Sequence, residues 1–107
     1  MTRLALFLLG GLLTACGAAA ESPAAAKHEV IILNYQFVPA TLRTAVGTTI
    51  TWTNNDDDVH TVMDAAGAFR SGALDQGQSY RYTFAKAGIY RIACSMHPQM
   101  SMVIDVR

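Results

Sequence analysis

The feature that most constrains this chain is a two-residue alternation of polar and apolar side chains, clearest in Thr48-Thr49-Ile50-Thr51-Trp52-Thr53. Successive side chains of a strand point to opposite faces, so Ile50 and Trp52 share one face and the threonines the other. The same period recurs downstream. Tyr80, Tyr82 and Phe84 alternate with Arg81 and Thr83; Tyr90, Ile92 and Cys94 share a face opposite Arg91; Ile104 and Val106 share one near the chain end. Val30-Ile31-Ile32-Leu33 is an unbroken apolar run and predicts a strand covered on both faces. Thr41 to Val46, stopped by Gly47, predicts another strand, and a further one begins at His60-Thr61-Val62-Met63. Asn54 to Asp58 reads as a loop and Lys86-Ala87-Gly88 as a turn. No segment of the domain sustains a period of 3.6. Short strands separated by turn signals predict an all-β sandwich or barrel.

Ahead of these strands the chain changes character. Residues 1–16 read MTRLALFLLGGLLTAC. Arg3 supplies a short positive region, and Leu4 to Leu13 form an apolar run too short to cross a bilayer as a helix of about 20 residues. This is the layout of a secretory signal peptide. Its end, Leu13-Thr14-Ala15-Cys16, resembles the bacterial lipobox, which implies lipidation of Cys16 and a protein anchored to a membrane without spanning it. The alternative is an ordinary signal with an incidental cysteine. Gly17 to Lys27 is alanine-rich, broken by Pro23, and reads as a tether. The expected organisation is a signal over residues 1–15, lipidated Cys16 and tether over 16–27, and one domain over 28–107. The expected location is the periplasm or cell envelope. About 80 residues build one core with little margin, so a bound metal would add stability through linkage.

Eight basic residues balance eight acidic ones, so no basic face is advertised to nucleic acid. Two cysteines are too few for a disulfide-stapled mini-protein or a four-cysteine zinc ribbon. With Cys16 lipidated, Cys94 would be a lone thiol in an exported protein, which brings a metal or a reactive role to mind.

The chemistry is concentrated in Cys94-Ser95-Met96-His97-Pro98-Gln99-Met100, a C-x2-H-x2-M segment at the end of a predicted strand. A tight loop can turn its thiolate, imidazole and thioether toward one point. His60, far upstream where another strand begins, would join them if two strand ends meet at one pole of a sandwich. Singly, a buried Cys is usually a small core hydrophobe and a Met a gap-filler, as expected for Met63 and Met102. Jointly, two His, one Cys and one Met suit copper, since a trigonal His2Cys site with a weak axial Met is the blue-copper arrangement. Zinc prefers nitrogen, oxygen or thiolate to a thioether. A Cys–His nucleophile pair needs a group to orient the base; only His97 is close to Cys94 in sequence, and that chemistry leaves Met100 unexplained.

Residues 30–107 resemble a cupredoxin of the amicyanin and plastocyanin-like group. The resemblance rests on Phe37-Val38-Pro39 followed by Leu42, on Gly47 to Asn54, on His60-Thr61-Val62, on Gly88-Ile89-Tyr90 and on the Cys94-to-Met100 loop. It implies a Greek-key β-sandwich of about seven to eight strands and one type 1 copper. His60, Cys94 and His97 would be equatorial ligands and Met100 the axial one. Two positions depart from the group. Met102 stands where such chains usually carry Gly, which limits backbone freedom beside the axial ligand. Thr61 stands where many cupredoxins have Asn; its hydroxyl is expected to reach the loop backbone near Ser95.

The expected function is one-electron transfer between Cu(I) and Cu(II) with no substrate transformed, hence not an enzyme. By resemblance the edge of His97, between apolar Met96 and Pro98, would be the electron port. A copper storage or delivery module is the alternative, kept open by Met63, Met96 and Met102. The expected partner of this monomer is a redox protein such as a c-type cytochrome or a membrane oxidase or reductase. Asp56-Asp57-Asp58, just before His60, are either a solvated turn or an acidic patch beside the copper pole that steers a basic partner.

Overall fold

The structure, a computed structural model, describes residues 10–11 and 27–107. Apart from residues 10–11, the expected signal peptide lies outside the described residues, as do Cys16 and the tether up to residue 26. Among the described residues there are eight strands: β1 (Lys27–Leu33), β2 (Gln36–Val38), β3 (Thr41–Thr44), β4 (Thr49–Asn54), β5 (Met63–Asp64), β6 (Ser79–Thr83), β7 (Gly88–Ala93) and β8 (Ser101–Val106). They form two four-stranded sheets, ordered β2-β1-β4-β6 and β3-β8-β7-β5. Only β1–β2 and β7–β8 are neighbours in sequence. The other pairings join distant strands, two of them parallel (β1 with β4, β3 with β8), as in a Greek-key sandwich.

The alternation does what it predicts in β4. Ile50 and Trp52 are fully buried while Thr49, Thr51 and Thr53 are only half-buried. Their inner faces meet Val30, Ile32, Phe84, Ile92, Ile104 and Val106 in one core. Phe69 and Leu74, from the long β5–β6 connection, complete it. The expectation that β1 is covered on both faces is wrong. Val30 and Ile32 are buried, but Ile31 is half-buried and Leu33 exposed. The sheet is covered by its partner on one side only, so the outward positions of a fully apolar run stay wet. The strand expected at His60 is shorter and later: β5 holds only Met63–Asp64, and His60 joins Leu74 through an isolated bridge.

Two features bring separate segments to one pole. The parallel pairing sets Ile32 of β1 opposite Asn54 of β4, so both strands leave the sheet at the same end. Asn54 then organises the following loop. Its buried amide donates to the carbonyls of Asp58 and Leu74, each at 2.8 Å, and its carbonyl accepts the Asp56 N–H at 2.9 Å. In β1–β2, Leu33 faces Gln36, leaving a two-residue hairpin turn of Asn34 and Tyr35. Both adopt positive φ, 52° and 58°, the geometry of a type I′ turn, which favours Asn first and Gly second. Tyrosine at the second position costs roughly 1–3 kcal/mol of backbone strain, and the pole explains what holds it there.

Candidate metal centre

The C-x2-H-x2-M segment is the connection between β7 and β8. Ala93 pairs with Ser101, so Cys94 leaves one strand where Met100 enters the next. Pro98 occupies the second position of a tight turn in which the Met100 N–H donates to the His97 carbonyl at 2.9 Å; proline's fixed φ suits that position. The Cys94 N–H closes the loop on the Met100 carbonyl at 3.4 Å. The two-residue spacings are thus those of a hairpin loop drawn shut around a turn.

The structure brings His60, Cys94 and His97 together; their ligand atoms all lie within 4.8 Å of one another. His60 Nδ1 and His97 Nδ1 are 3.1 Å apart, and Cys94 Sγ lies 3.9 and 3.7 Å from them. Bonds of about 2.0 Å to nitrogen and 2.3 Å to thiolate, as around zinc, would separate three trigonal donors by about 3.5–3.7 Å. His60 and Cys94 are buried, and the His97 side chain is 20% exposed. Met100 is buried at the base of the same loop.

The surroundings fix which atoms face inward. His60 Nε2 donates to the Asp56 carboxylate at 2.8 Å, and His97 Nε2 faces Asp58 at 3.5 Å. With the outer nitrogen of His60 hydrogen-bonded to one carboxylate and that of His97 facing another, both Nδ1 atoms lie within 4 Å of the thiol sulfur and of each other. A cation satisfies such a donor set, and carboxylate backing of ligand imidazoles is the usual outer support of a metal. Burial pushes the Cys94 thiol up, but the N–H groups of Thr61 and Met96, the Thr61 hydroxyl and His97 outweigh it, and the net shift is downward. The donors therefore favour a thiolate, which soft copper takes readily.

Thr61 does what its side chain predicts. Its Oγ1 accepts the Ser95 N–H at 2.8 Å and meets the Ser95 hydroxyl at 2.8 Å, while its own N–H donates to Cys94 Sγ at 3.3 Å. The first-histidine segment is thereby stitched to the Cys94 loop. Met102 packs: its sulfur accepts the Trp52 indole N–H at 3.4 Å in the buried core. A glycine there would leave that N–H without this partner, a physical reason for the departure from the group.

The aspartates are not one exposed patch. Asp56 is 6% exposed and accepts from the Asn34 N–H at 2.6 Å, the Tyr35 N–H at 2.9 Å and His60. Burial raises its carboxyl and these donors outweigh it, so its pKa lies below the ordinary value. Asp56 is the strut between the strained turn and His60; of the other two, Asp57 is exposed and Asp58 half-buried. The chain's role for Tyr35 was not legible: its ring stands edge-on to both imidazoles, with centroids 5.3 Å from His60 and 4.9 Å from His97. Its hydroxyl donates to Asp58 at 2.8 Å. The asparagine before it and the aspartates after β4 were visible, but nothing in one sequence pairs them.

A β-sandwich with a His-Cys-His cluster and a buried Met at one pole is typical of a type 1 copper site. The chain belongs to the cupredoxin-like domain family, which it matches over residues 5–106. It is 34% identical over 91 residues to amicyanin of Paracoccus denitrificans, covering 75% of this chain and 70% of that one. Among solved structures it resembles a purple cupredoxin from Nitrosopumilus maritimus (TM-score 0.70, 31% identity, 75% of this chain and 99% of that one). It also resembles a reduced amicyanin variant (TM-score 0.72, 29% identity, 82% and 88%). The protein is thus an amicyanin-like cupredoxin.

Proposed function

We propose that this protein is a one-electron carrier whose copper is held by His60, Cys94 and His97, with Met100 as axial ligand. One observation carries the reading: three soft or borderline donors from two distant segments converge, with their ligand atoms all within 4.8 Å of one another. Bound copper supplies a Cu(I)/Cu(II) couple. The chain's part is to keep the donors still. Thr61 ties the loop of Cys94 to the segment of His60, Asp56 orients His60, and the Pro98 turn fixes His97 against Met100. Donors that cannot relax keep rearrangement small when the charge changes.

His97 is the one of the three with an exposed edge, between the exposed residues Met96 and Pro98. It is the electron port in this reading, and a c-type cytochrome or a membrane oxidase or reductase is the partner. Asp58 faces His97 and Asp57 is Asp58's exposed chain neighbour; together they would speed encounter with a basic partner at low salt, and with a Debye length of about 8 Å at physiological ionic strength the effect fades as salt rises. The lipobox-like Leu13-Thr14-Ala15-Cys16 supports export and anchoring by lipid at Cys16, in the periplasm or cell envelope. The copper-loaded, oxidised chain should show an intense visible charge-transfer band and a reversible voltammetric couple. Cys94→Ser should remove the band, which arises from the thiolate. A coloured Cys94→Ser protein, or a wild type that takes zinc alone, overturns the proposal. Rapid surrender of copper without a reversible couple replaces it with delivery.

A further inference from the structure

Tyr35 is anomalous three times over. It occupies, at φ 58°, a turn position that suits glycine. It keeps a large aromatic ring 43% exposed. Its hydroxyl is tied to Asp58, the carboxylate that also faces His97 Nε2. The turn residue that would suit the backbone best has no side chain, so the side chain must answer to something other than the hairpin. What it touches is the pair of imidazoles. Asp56 pulls the backbone of Asn34 and Tyr35 down toward His60, and the ring then lies edge-on to both histidines. His97 is the ring that needs such support. His60 is buried and tied at 2.8 Å, whereas His97 is partly exposed with only a 3.5 Å contact to Asp58.

We propose that Tyr35 is a positioning residue for His97: its ring blocks rotation of the imidazole, and its hydroxyl holds Asp58 against Nε2 so that Nδ1 faces the metal site. The strained turn is the device that delivers the ring. The proposal rests on the reading of His97 as a copper ligand, but part of its test does not.

The decisive variant is Tyr35→Gly, which relaxes the turn and removes the ring, with Tyr35→Asn as a second ring-less residue that tolerates positive φ. A merely structural tyrosine would show itself in the unfolding midpoint. A positioning tyrosine shows itself at His97. In the copper-free chain, imidazole nitrogen NMR should give one sharp His97 ring state in wild type and a broadened or mixed one in both variants, while folding is kept. In the copper-loaded, reduced chain, stripping by a strong Cu(I) chelator should accelerate about tenfold, the scale of two aromatic edge contacts. Tyr35→Phe, which keeps the ring and loses the tie to Asp58, should fall between. Unchanged His97 signals and stripping within twofold of wild type in the folded ring-less variants overturn the proposal. If wild type takes no copper, the ligand reading fails, and the copper-free ring measurement still decides the role of Tyr35.

Discussion

Replacing Asp56 by Asn tests the polar strut beneath the metal centre. The carboxylate is buried and receives three donors, two on Oδ2 (Tyr35 N and His60 Nε2) and one on Oδ1 (Asn34 N). An amide of the same shape keeps one acceptor oxygen. Its better orientation leaves that oxygen on the doubly used side and turns its NH2 against the Asn34 N–H. One bond to a charged acceptor is lost, worth about 1.5–3 kcal/mol, and two others become neutral and weaken by some tenths to about 1 kcal/mol each. The total is about 2–5 kcal/mol, a large part of the roughly 5–15 kcal/mol that holds a small domain together. For a domain of this size about 1 kcal/mol moves the midpoint by roughly 4–8 °C, so the copper-free variant should melt roughly 10–40 °C below wild type at neutral pH. The sign of the pH dependence is fixed by the same contacts. The folded carboxyl has a pKa below the unfolded value, near 3.9. Protonation therefore favours the unfolded chain: the stabilisation is complete above about pH 4–5 and is lost as pH falls through the lowered folded value. Thermal melts from neutral pH down to about pH 3 should show that acid-side loss in wild type and a smaller one in the variant. Asp57→Asn, on an exposed side chain, should stay within about 0.5 kcal/mol. An Asp56→Asn midpoint equal to that of Asp57→Asn would refute the reasoning and return all three aspartates to a solvated turn.

Met100→Gln should keep copper and lower the reduction potential, since a harder oxygen favours Cu(II); voltammetry decides, and an unchanged potential removes Met100 from the axial position. Met102→Ala should cost about 2–5 kcal/mol as a core truncation that also strips the Trp52 N–H of its sulfur, with a smaller shift in potential than Met100→Gln; denaturant melts and voltammetry read the two effects separately. Thr61→Val should cost about 1–3 kcal/mol by leaving the Ser95 N–H without its acceptor, and the thiolate band should shift because the Sγ surroundings change; a stable variant with an unshifted band would mean that Thr61 clamps nothing. Labelled fatty acid should enter wild type and not Cys16→Ser; no incorporation into wild type would make the leader an ordinary signal.

The sequence by itself determined most of the strands and the donor types; β2 was not among them, and the strand expected at His60 begins only at Met63. Side-chain alternation is a local property with a fixed period, so Ile50, Trp52, Ile92, Ile104 and Val106 could be assigned to an inner face without knowing what they meet. The donors within Cys94 to Met100 were legible for the same reason: they sit in one hairpin loop, where spacing and a turn proline limit the geometry. Only the tertiary structure decided the rest. Whether Ile31 and Leu33 are buried depends on whether a second layer covers that face, and residue type does not carry that information. Asp56, Asp57 and Asp58 are chemically identical neighbours with different fates, set by β1 lying parallel to β4 and delivering the Asn34–Tyr35 turn to Asp56. Tyr35 meets His60 and His97 for that reason too. Contacts between segments far apart in the chain arise from strand order and from the free energy of the whole sandwich, and a single sequence records them only as residues whose local cost, like a tyrosine at positive φ, has no local explanation.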